Sequence, residues 1–343
     1  MSAKQILLIG SGERVRKAAL PVFEAAEGFE IEGVVSRTPK TIESWGREYE
    51  VRGMQSLTAQ RISGIDLVYM VVKKPAVPSV LKQLARFDCS KLDILIETPV
   101  MLVRHLGHRS LLDGFRNAWV SEDCEPLPCL DAVKSLFQSG EIGELQSAHF
   151  DRSAYAYHGM AMIKSALGGG PIRSARQRKL PGGARARTVT LANGRRATVN
   201  DPRDYSVGTL TFQGSRGSVS DAPDRPADGL PLEAILENGA CHGFRAGAAR
   251  RELNESEIQL MGEPSHGIGV TAWMDGMKRV GFLKLMERVR SGAGAYPLSC
   301  AIEDSVVDYY LEKAGRYLAT PFTRPNAALP RFAFSLLTKI TDR

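Results

Sequence analysis

The stretch Asp93-Ile94-Leu95-Ile96-Glu97-Thr98-Pro99 places a short apolar run directly before a Glu-x-Pro sequence. A run of this length, bounded by polar residues, is typical of a strand buried on both faces of a parallel sheet. Pro99 cannot donate a hydrogen bond to a sheet, and it suits the first turn of a helix. The stretch therefore predicts a strand that leads directly into a helix, the repeating unit of an α/β fold.

The residues around this stretch repeat the same pattern. Further predicted strands are Gln5–Ile9, Phe29–Arg37, Ile65–Val72 and Asn117–Ser121. The predicted helices are Glu13–Ala26, a polar segment from Pro39 through Trp45, Val80–Phe87 and Pro99–Leu112. This alternation predicts a Rossmann-like domain over residues 1–123, with a doubly wound, parallel sheet.

Past Cys124 the pattern changes to closely spaced strands. The strand-like segments are 145–150, 184–191, 196–199, 205–213, 218–220 and 232–236, and helical spacing occurs at 130–139, 270–288 and 302–318. Short strands in a meander are typical of antiparallel sheets. We therefore expect residues 124–343 to form a second, α+β domain with a mostly antiparallel sheet, used for substrate binding or oligomerisation.

The composition is that of an ordinary globular protein, with 43% apolar and 24% charged residues in a chain of 343. A chain of this length usually forms two hydrophobic cores. No apolar run approaches the ~20 residues that span a bilayer, and the N-terminus has no signal-peptide pattern. We therefore expect a cytoplasmic protein without a membrane partner. The five scattered cysteines lack a Cys-x-x-Cys pair, which indicates reduced thiols and predicts no metal site.

The net charge of +7 is unevenly distributed along the chain. Eight arginine and lysine residues fall between Arg173 and Arg196, a region that contains no aromatic residue. Nucleic-acid binding usually needs such charge combined with aromatic residues, so we expect no nucleic-acid partner. Two interpretations remain: a solvated basic connection beside a sheet, or the attraction of an anionic substrate or cofactor phosphate.

Glu97-Thr98-Pro99, the order of the strands and the turn Gly140-Glu141-Ile142-Gly143 carry a family resemblance. The chain resembles the glucose–fructose oxidoreductase and inositol dehydrogenase family of two-domain, NAD(P)-dependent oxidoreductases. The resemblance implies hydride transfer between a nicotinamide and a carbonyl, imine or secondary alcohol of a small molecule. It also implies a homo-oligomer, a dimer or tetramer formed through the exposed face of the second sheet.

The segment Gly10-Ser11-Gly12-Glu13-Arg14-Val15 occupies the dinucleotide-fingerprint position after the first strand. Gly10 suits the tight turn, and Gly12 allows the backbone to approach a pyrophosphate at the helix N-terminus. Val15 replaces the third glycine of the fingerprint, and Glu13 would repel a pyrophosphate. Arg14 is a candidate cofactor-binding residue whose charge offsets that of Glu13.

Ser36-Arg37-Thr38 at the end of the second strand should select the cofactor. A carboxylate here would bind the ribose hydroxyls of NAD, whereas an arginine and hydroxyl groups suit the 2′-phosphate of NADP. The sequence therefore favours NADP(H), with NAD(H) as the alternative. Arg37 as an ordinary exposed turn residue is the other interpretation. Lys73 and Glu97, at the ends of later strands, are further predicted cofactor contacts.

The resemblance implies a catalytic lysine in Glu-Lys-Pro and a second sequence, Asp-x-Gly-x-His. This chain has Thr98 at the lysine position and Ala154 at the aspartate position, and it retains His158. His158 is a predicted acid or base. Tyr155 and Tyr157 are candidate proton donors or, alternatively, aromatic packing residues, and the Thr98 hydroxyl can hydrogen-bond a carbonyl.

These departures support a second hypothesis, in which the fold has lost redox catalysis. The chain would then be a non-redox isomerase, lyase or cyclising enzyme, or a subunit for binding and assembly. One additional candidate for contact with a substrate is His266, in a loop before the helical segment 270–288.

Overall fold

The computed structural model describes residues 3–265, 267, 269–324, 333 and 336. The chain divides into two units, each built on its own sheet. Residues 1–122 and 283–305 belong to the first unit, and residues 123–282 and 306–323 belong to the second. The segment 283–305, which the sequence boundary at 123 assigned to the second domain, thus groups with the first unit.

The described residues form strands and helices along the whole chain. The strands are β1 (Lys4–Ile9), β2 (Phe29–Ser36), β3 (Lys40–Ser44), β4 (Arg47–Gly53), β5 (Leu67–Met70), β6 (Asp93–Glu97), β7 (Asn117–Ser121), β8 (Leu145–Asp151), β9 (Ile172–Lys179), β10 (Arg185–Leu191), β11 (Arg196–Asp201), β12 (Thr209–Gly214), β13 (Ser218–Ser220), β14 (Leu230–Glu237), β15 (Ala240–Ala246), β16 (Ala249–Glu252), β17 (Tyr296–Pro297) and β18 (Arg316–Leu318). The α-helices are α1 (Leu20–Ala25), α2 (Ala59–Ser63), α3 (Val77–Leu84), α4 (Pro128–Ser139), α5 (Ala156–Ala166), α6 (Glu255–Met261), α7 (Met274–Arg290) and α8 (Leu298–Ala314). Among the residues that the structure describes, every helix is too short or too polar to span a membrane.

The sheet of the first unit has the order β17-β7-β6-β5-β1-β2-β4-β3. Pairing is parallel from β7 through β4, and the edge strands β17 and β3 are antiparallel to their neighbours. The apolar residues of β1, β5 and β6 are buried, as expected for central strands covered on both faces. The predicted doubly wound, mostly parallel sheet is confirmed.

One predicted helix of the first unit is wrong. Residues 39–45 do not form a helix; β3 and β4 form a hairpin instead, joined by Trp45 and Gly46. Both turn residues have positive φ angles, +48° and +78°, which suit the tight turn of a two-residue hairpin. Ile42 and Ser44 are buried while their neighbours are exposed, so the segment alternates with the period of a strand.

Two other segments of the first unit also depart from regular α-helix. Val15–Ala19 forms a π-helical turn before α1, in which the N–H of Leu20 donates to the carbonyl of Val15. A π turn is wider than an α turn, and here it accommodates the fully buried Val15 at the position of the third fingerprint glycine. The predicted helix after Pro99 is a 3₁₀ segment, Val103–Gly114.

The sheet of the second unit has ten strands in the order β16-β15-β14-β13-β12-β8-β11-β10-β9-β18. The β8–β11 and β13–β14 pairs are parallel and the others are antiparallel, so the predicted mostly antiparallel sheet is confirmed. The sequence interpretation missed β9, β15, β16 and β18 of this sheet. Residues 316–318, included in the predicted helical segment 302–318, form β18 instead.

The basic stretch between Arg173 and Arg196 lies within this sheet. The interpretation of it as a solvated connection beside a sheet is therefore wrong. Arg173, Arg176 and Arg178 of β9 are exposed. Arg187 of β10 is instead buried, with 4% of its side chain exposed, and its guanidinium pairs with Asp201 at 2.9 Å, Asp308 at 2.5 Å, and Glu312. Much of the local positive charge is therefore structural.

Candidate functional site

The first unit contains a cavity of about 1100 Å³ at the carboxyl ends of β1, β2 and β5. Ligands of open α/β sheets bind at this end of the strands. The lining includes six of the eight predicted cofactor contacts: Gly10, Gly12, Ser36, Arg37, Thr38 and Lys73. The other two, Arg14 and Glu97, are not among the lining residues, whereas Ser11, Lys40, Ala76 and Arg86 are.

Gly10 and Gly12 serve the cavity in different ways. Gly10 has a φ of +131°, and a Cβ at this position would lie 1.9 Å from the carbonyl oxygen of Val71, so the turn requires glycine. A Cβ at Gly12 would have none of the described atoms within 4 Å. The backbone of Gly12 therefore faces open space, as the approach of a pyrophosphate requires.

The charged residues that line the cavity are all cationic. Arg37, Lys40, Lys73 and Arg86 contribute four basic side chains, and no carboxylate is among the described residues of the lining. Ser36 Oγ donates a hydrogen bond to the carbonyl of Thr38 at 2.7 Å, which fixes the turn that presents Arg37. An arrangement of arginine, lysine and hydroxyl groups is suited to a phosphate.

Glu13 and Arg14 lie outside the lining of this cavity. Glu13 is exposed and pairs with Lys17 at 2.5 Å, and this hydrogen bond lowers the pKa of the Glu13 carboxyl. Arg14, a predicted cofactor contact, donates from Nε to Glu97 Oε2 at 2.9 Å. The carboxylate of Glu13 is thus turned toward a lysine, and the guanidinium of Arg14 is turned toward the end of β6.

Glu97 is the centre of a polar cluster at the end of β6. Its carboxylate accepts hydrogen bonds from Arg14 and from the hydroxyl of Tyr69, and its Oε1 accepts from the backbone N–H and Oγ1 of Thr98, each at 3.2 Å. Burial alone would raise the pKa of Glu97, but Arg14, Lys74 and the Tyr69 hydroxyl together lower it. Burial and the Glu97 charge raise the pKa of Tyr69.

Lys74 belongs to the same cluster and was missed by the sequence interpretation. The residue follows β5 and is half-buried, and its Nζ donates to the main-chain carbonyl of Glu97. Burial lowers the pKa of Lys74 to about 8, and the Arg14 charge acts in the same direction, against the attraction of Glu97. The only signal in the sequence is a Lys-Lys-Pro after an apolar strand.

In the second unit, His158 lies on α5 close to the predicted aromatic residues. The ring centroids of Tyr157 and His158 are 4.4 Å apart, and those of Tyr155 and Tyr157 are 6.1 Å apart. Tyr155 has 48% of its surface exposed, whereas Ala154, at the position of the expected aspartate, is buried. The three residues named from the sequence form one continuous group of rings.

Asp123 places a carboxylate near His158, whereas the family resemblance implied an aspartate at position 154. Asp123, Cys124 and His158 each offer one donor atom, and these atoms lie within 4.8 Å of one another. The Sγ atom of Cys124 is 3.6 Å from Oδ1 of Asp123. A carboxylate, a thiol and an imidazole can orient a proton-transfer histidine or hold a transition metal. No local pattern indicated this grouping, because about 35 residues separate its two parts in the chain.

Lys278 of α7 brings a positive charge to this group. Its Nζ donates to the hydroxyl of Tyr205 at 2.8 Å. Burial alone would lower the pKa of Lys278, but Cys124, Tyr205 and Asp123 together raise it above its ordinary value. Arg203 lies over the rings of Tyr155 and Tyr205, at 5.4 and 5.0 Å from their centroids. His266 lies outside the described residues.

No family model matches the sequence, and no curated protein is significantly similar to it. Solved structures are similar in fold. An oxidoreductase from Thermotoga maritima is 13% identical, with a TM-score of 0.59, over 92% of this chain and 98% of that chain. A putative myo-inositol dehydrogenase from Sinorhizobium meliloti is 14% identical, with a TM-score of 0.57, over 93% and 100% of the two chains.

A third similar structure is scyllo-inositol dehydrogenase from Lactobacillus casei with bound NAD(H) and scyllo-inositol. It is 10% identical to this chain, with a TM-score of 0.60, over 92% of this chain and 99% of that chain. Likeness at such identities establishes the fold. The resemblance drawn from the sequence is therefore confirmed as a likeness of fold to inositol dehydrogenases and related oxidoreductases.

Proposed function

We propose that the protein is an NADP(H)-linked oxidoreductase that transfers hydride to or from a carbonyl, imine or secondary alcohol of a small molecule. The observation that carries this proposal is the cavity at the carboxyl ends of β1, β2 and β5. Its lining combines the Gly10–Gly12 turn with four cationic side chains and, among the described residues, no carboxylate. The fold likeness to oxidoreductases, one of them with bound NAD(H), is in keeping with it.

The residues of the cavity fit a dinucleotide phosphate. The open space at Gly12 suits the pyrophosphate at the start of the first helix. Arg37, Thr38 and Lys40 would hold the 2′-phosphate, and the absence of a carboxylate at this turn disfavours the ribose of NAD. When bound, the cofactor supplies the hydride chemistry, and the protein contributes orientation and electrostatics.

His158 is the proposed acid–base residue of the second unit. Its imidazole lies within 4.8 Å of a carboxylate oxygen of Asp123, which replaces the aspartate expected at Ala154. Tyr155 and Tyr157 would then shape the surface beside His158, in keeping with their contacts between rings. His158→Ala should abolish turnover and leave the affinity for NADPH unchanged, because His158 is not part of the cavity lining.

Titration of the purified protein with NADPH and NADH, followed by calorimetry and nicotinamide fluorescence, tests the proposed cofactor. We expect micromolar affinity for NADPH and at least tenfold weaker binding of NADH. Arg37→Gln should weaken NADPH binding about 10- to 100-fold, because charged hydrogen bonds contribute roughly 1.5–3 kcal/mol. The affinity for NADH should change less than about threefold, since NADH has no 2′-phosphate.

Arg176→Gln is a suitable control, because Arg176 is an exposed arginine on β9 of the second unit. Its NADPH affinity should equal that of the wild type. Binding of neither nucleotide would refute the proposal and favour the hypothesis of a non-redox protein. Equal loss of NADPH and NADH affinity in Arg37→Gln would refute the assignment of the 2′-phosphate contact.

A further inference from the structure

The amine of Lys74 is held at the carboxyl ends of β5 and β6, and Lys74 itself is not among the residues that line the cavity. Lys74 begins a 3₁₀ turn after β5, and its Nζ donates to the main-chain carbonyl of Glu97 at the end of β6. Its neighbours Lys73 and Ala76 both line the cavity. The amine is therefore fixed between the ends of two adjacent parallel strands, next to the proposed nucleotide site.

Hydride transfer to a carbonyl creates a negative oxygen, which needs a proton from a nearby acid. The other groups of the Glu97 cluster are poorly suited to supply it. Arg14 does not release its proton, and burial raises the pKa of Tyr69 well above its ordinary value. Glu97 carries a pKa lowered by its neighbours, so it remains ionised.

Lys74 differs from these neighbours because it can change its protonation state near neutral pH. Burial lowers the pKa of its ammonium to about 8. An efficient acid or base has a pKa near the operating pH, and buried lysines with lowered pKa values commonly serve in this role. Thr98, beside the amine's hydrogen-bond partner, is buried and has a hydroxyl that is a poor acid.

We propose that Lys74 is an acid–base residue of this enzyme and exchanges a proton with the reacting oxygen or nitrogen of the substrate. In the reducing direction, the carbonyl carbon gains a hydride and is reduced by two electrons, at the expense of the reduced nicotinamide. The carbonyl oxygen takes its proton from the Lys74 ammonium, in the role that the proposed function otherwise gives to His158, and the neutral amine regains a proton from solvent. This assignment rests on the proposed oxidoreductase function.

Competitive acetylation of the full-length protein, followed by peptide mass spectrometry across about pH 6 to 11, tests the state of the amine without a known substrate. We expect Lys74 to react with a midpoint near pH 8, and the exposed Lys91 serves as the control for general labelling. Saturating NADPH should reduce acetylation of Lys74 at least fivefold and leave Lys91 unchanged. A Lys74 midpoint near about 10.4, the ordinary pKa of a lysine, or labelling unaffected by bound NADPH, would overturn the assignment.

Two variants then separate proton transfer from charge. Lys74→Met and Lys74→Arg should bind NADPH within threefold of the wild-type affinity. With a carbonyl compound found by screening for NADPH oxidation, both should lose at least 100-fold in rate, because arginine retains the charge but does not release a proton. In the wild type, the rate should follow an apparent pKa near 8.

The outcomes distinguish this assignment from the proposed function. Failure of the wild type to bind either nucleotide would refute the proposed oxidoreductase function itself. Intact NADPH binding, together with full activity of Lys74→Met, would refute only the role of Lys74. Retained activity in Lys74→Arg but not in Lys74→Met would show that the residue acts by charge, which also contradicts proton transfer.

Discussion

Lys74 in the first unit and Lys278 in the second are both half-buried, yet their environments shift the two pKa values in opposite directions. Around Lys74, burial is the largest effect, and Arg14 shares the nearby carboxylate of Glu97. Around Lys278, Cys124, Tyr205 and Asp123 outweigh the effect of burial. Burial favours the neutral amine at both positions; the charge of Arg14 adds to that effect at Lys74, whereas the groups around Lys278 outweigh it.

The two pKa shifts have opposite consequences for stability. A lysine whose pKa is raised on folding stabilises the native state below its unfolded pKa of about 10.4. A lysine whose pKa is lowered destabilises the native state while it is charged. Lys278 is therefore expected to support the fold, whereas Lys74 reduces stability, as is common for residues retained for function.

The largest expected effect is that of Lys278→Met. Removing one partner of a buried, hydrogen-bonded charge leaves the others uncompensated, which costs about 3 kcal/mol. The loss should be the same at pH 7 and pH 9, because the pKa of Lys278 is raised and the ammonium stays charged at both. Urea unfolding of the wild type and Lys278→Met at the two pH values measures this loss in the free energy of unfolding.

Lys91→Met is the matched control, since Lys91 is an exposed lysine. Its free energy of unfolding should lie within about 0.5 kcal/mol of the wild type, as for most surface substitutions. If Lys278→Met is as stable as this control, the Lys278 charge is not needed by Asp123, Cys124 and Tyr205. The prediction that the Lys278 charge stabilises the fold would then be wrong.

Lys74→Met should change the free energy of unfolding in the opposite direction from Lys278→Met, and by a smaller amount. Below about pH 8, the wild type contains a charged, partly desolvated amine, whose lowered pKa corresponds to a cost of about 3 kcal/mol. Loss of the Nζ hydrogen bond to the Glu97 carbonyl offsets part of this, so the variant should be more stable by about 1 to 2 kcal/mol. Between about pH 8 and 10.4 the unfolded wild-type chain binds more protons than the folded one, so wild-type stability rises with pH. The advantage of the variant should therefore shrink across this range.

Urea unfolding of the wild type and Lys74→Met at about pH 7, 8.5 and 10 measures this difference. A variant that is less stable than the wild type at pH 7 would contradict the predicted cost of the buried amine. An advantage that does not change with pH would show that packing, rather than charge, causes it. Either result would remove the opposition between Lys74 and Lys278.

The sequence predicted the two sheets because their strands depend on local patterns. The runs at β1, β5 and β6 are apolar throughout, as buried parallel strands require, and they are correctly placed. The helix assigned to residues 39–45 was wrong, because the positive φ angles of Trp45 and Gly46 allow a hairpin that composition did not indicate.

The parts of the candidate site that depend on short stretches of sequence could be predicted. Gly10, Gly12 and Arg37 follow predicted strands, and the structure places all three around one cavity. The proximity of Asp123 to His158, and of Lys278 to Tyr205, depends on contacts between residues far apart in the chain. Such contacts have no signature in a single sequence, so the partners of His158 could not be named from it.

Arg14→Met is the prediction with the smallest expected effect. It should move the pKa of Lys74 upward, in the same direction as the shift at Lys278. The substitution removes a positive charge near the amine and leaves the Glu97 carboxylate with one cation fewer to share it. Both changes favour the ammonium, so the acetylation midpoint of Lys74 should rise by about 1 pH unit. The substitution Arg16→Met, two positions after Arg14, is the control and should leave the midpoint unchanged. A Lys74 midpoint that stays near 8 in Arg14→Met would mean that burial alone sets it, and that sharing of the carboxylate does not explain why the two lysines differ.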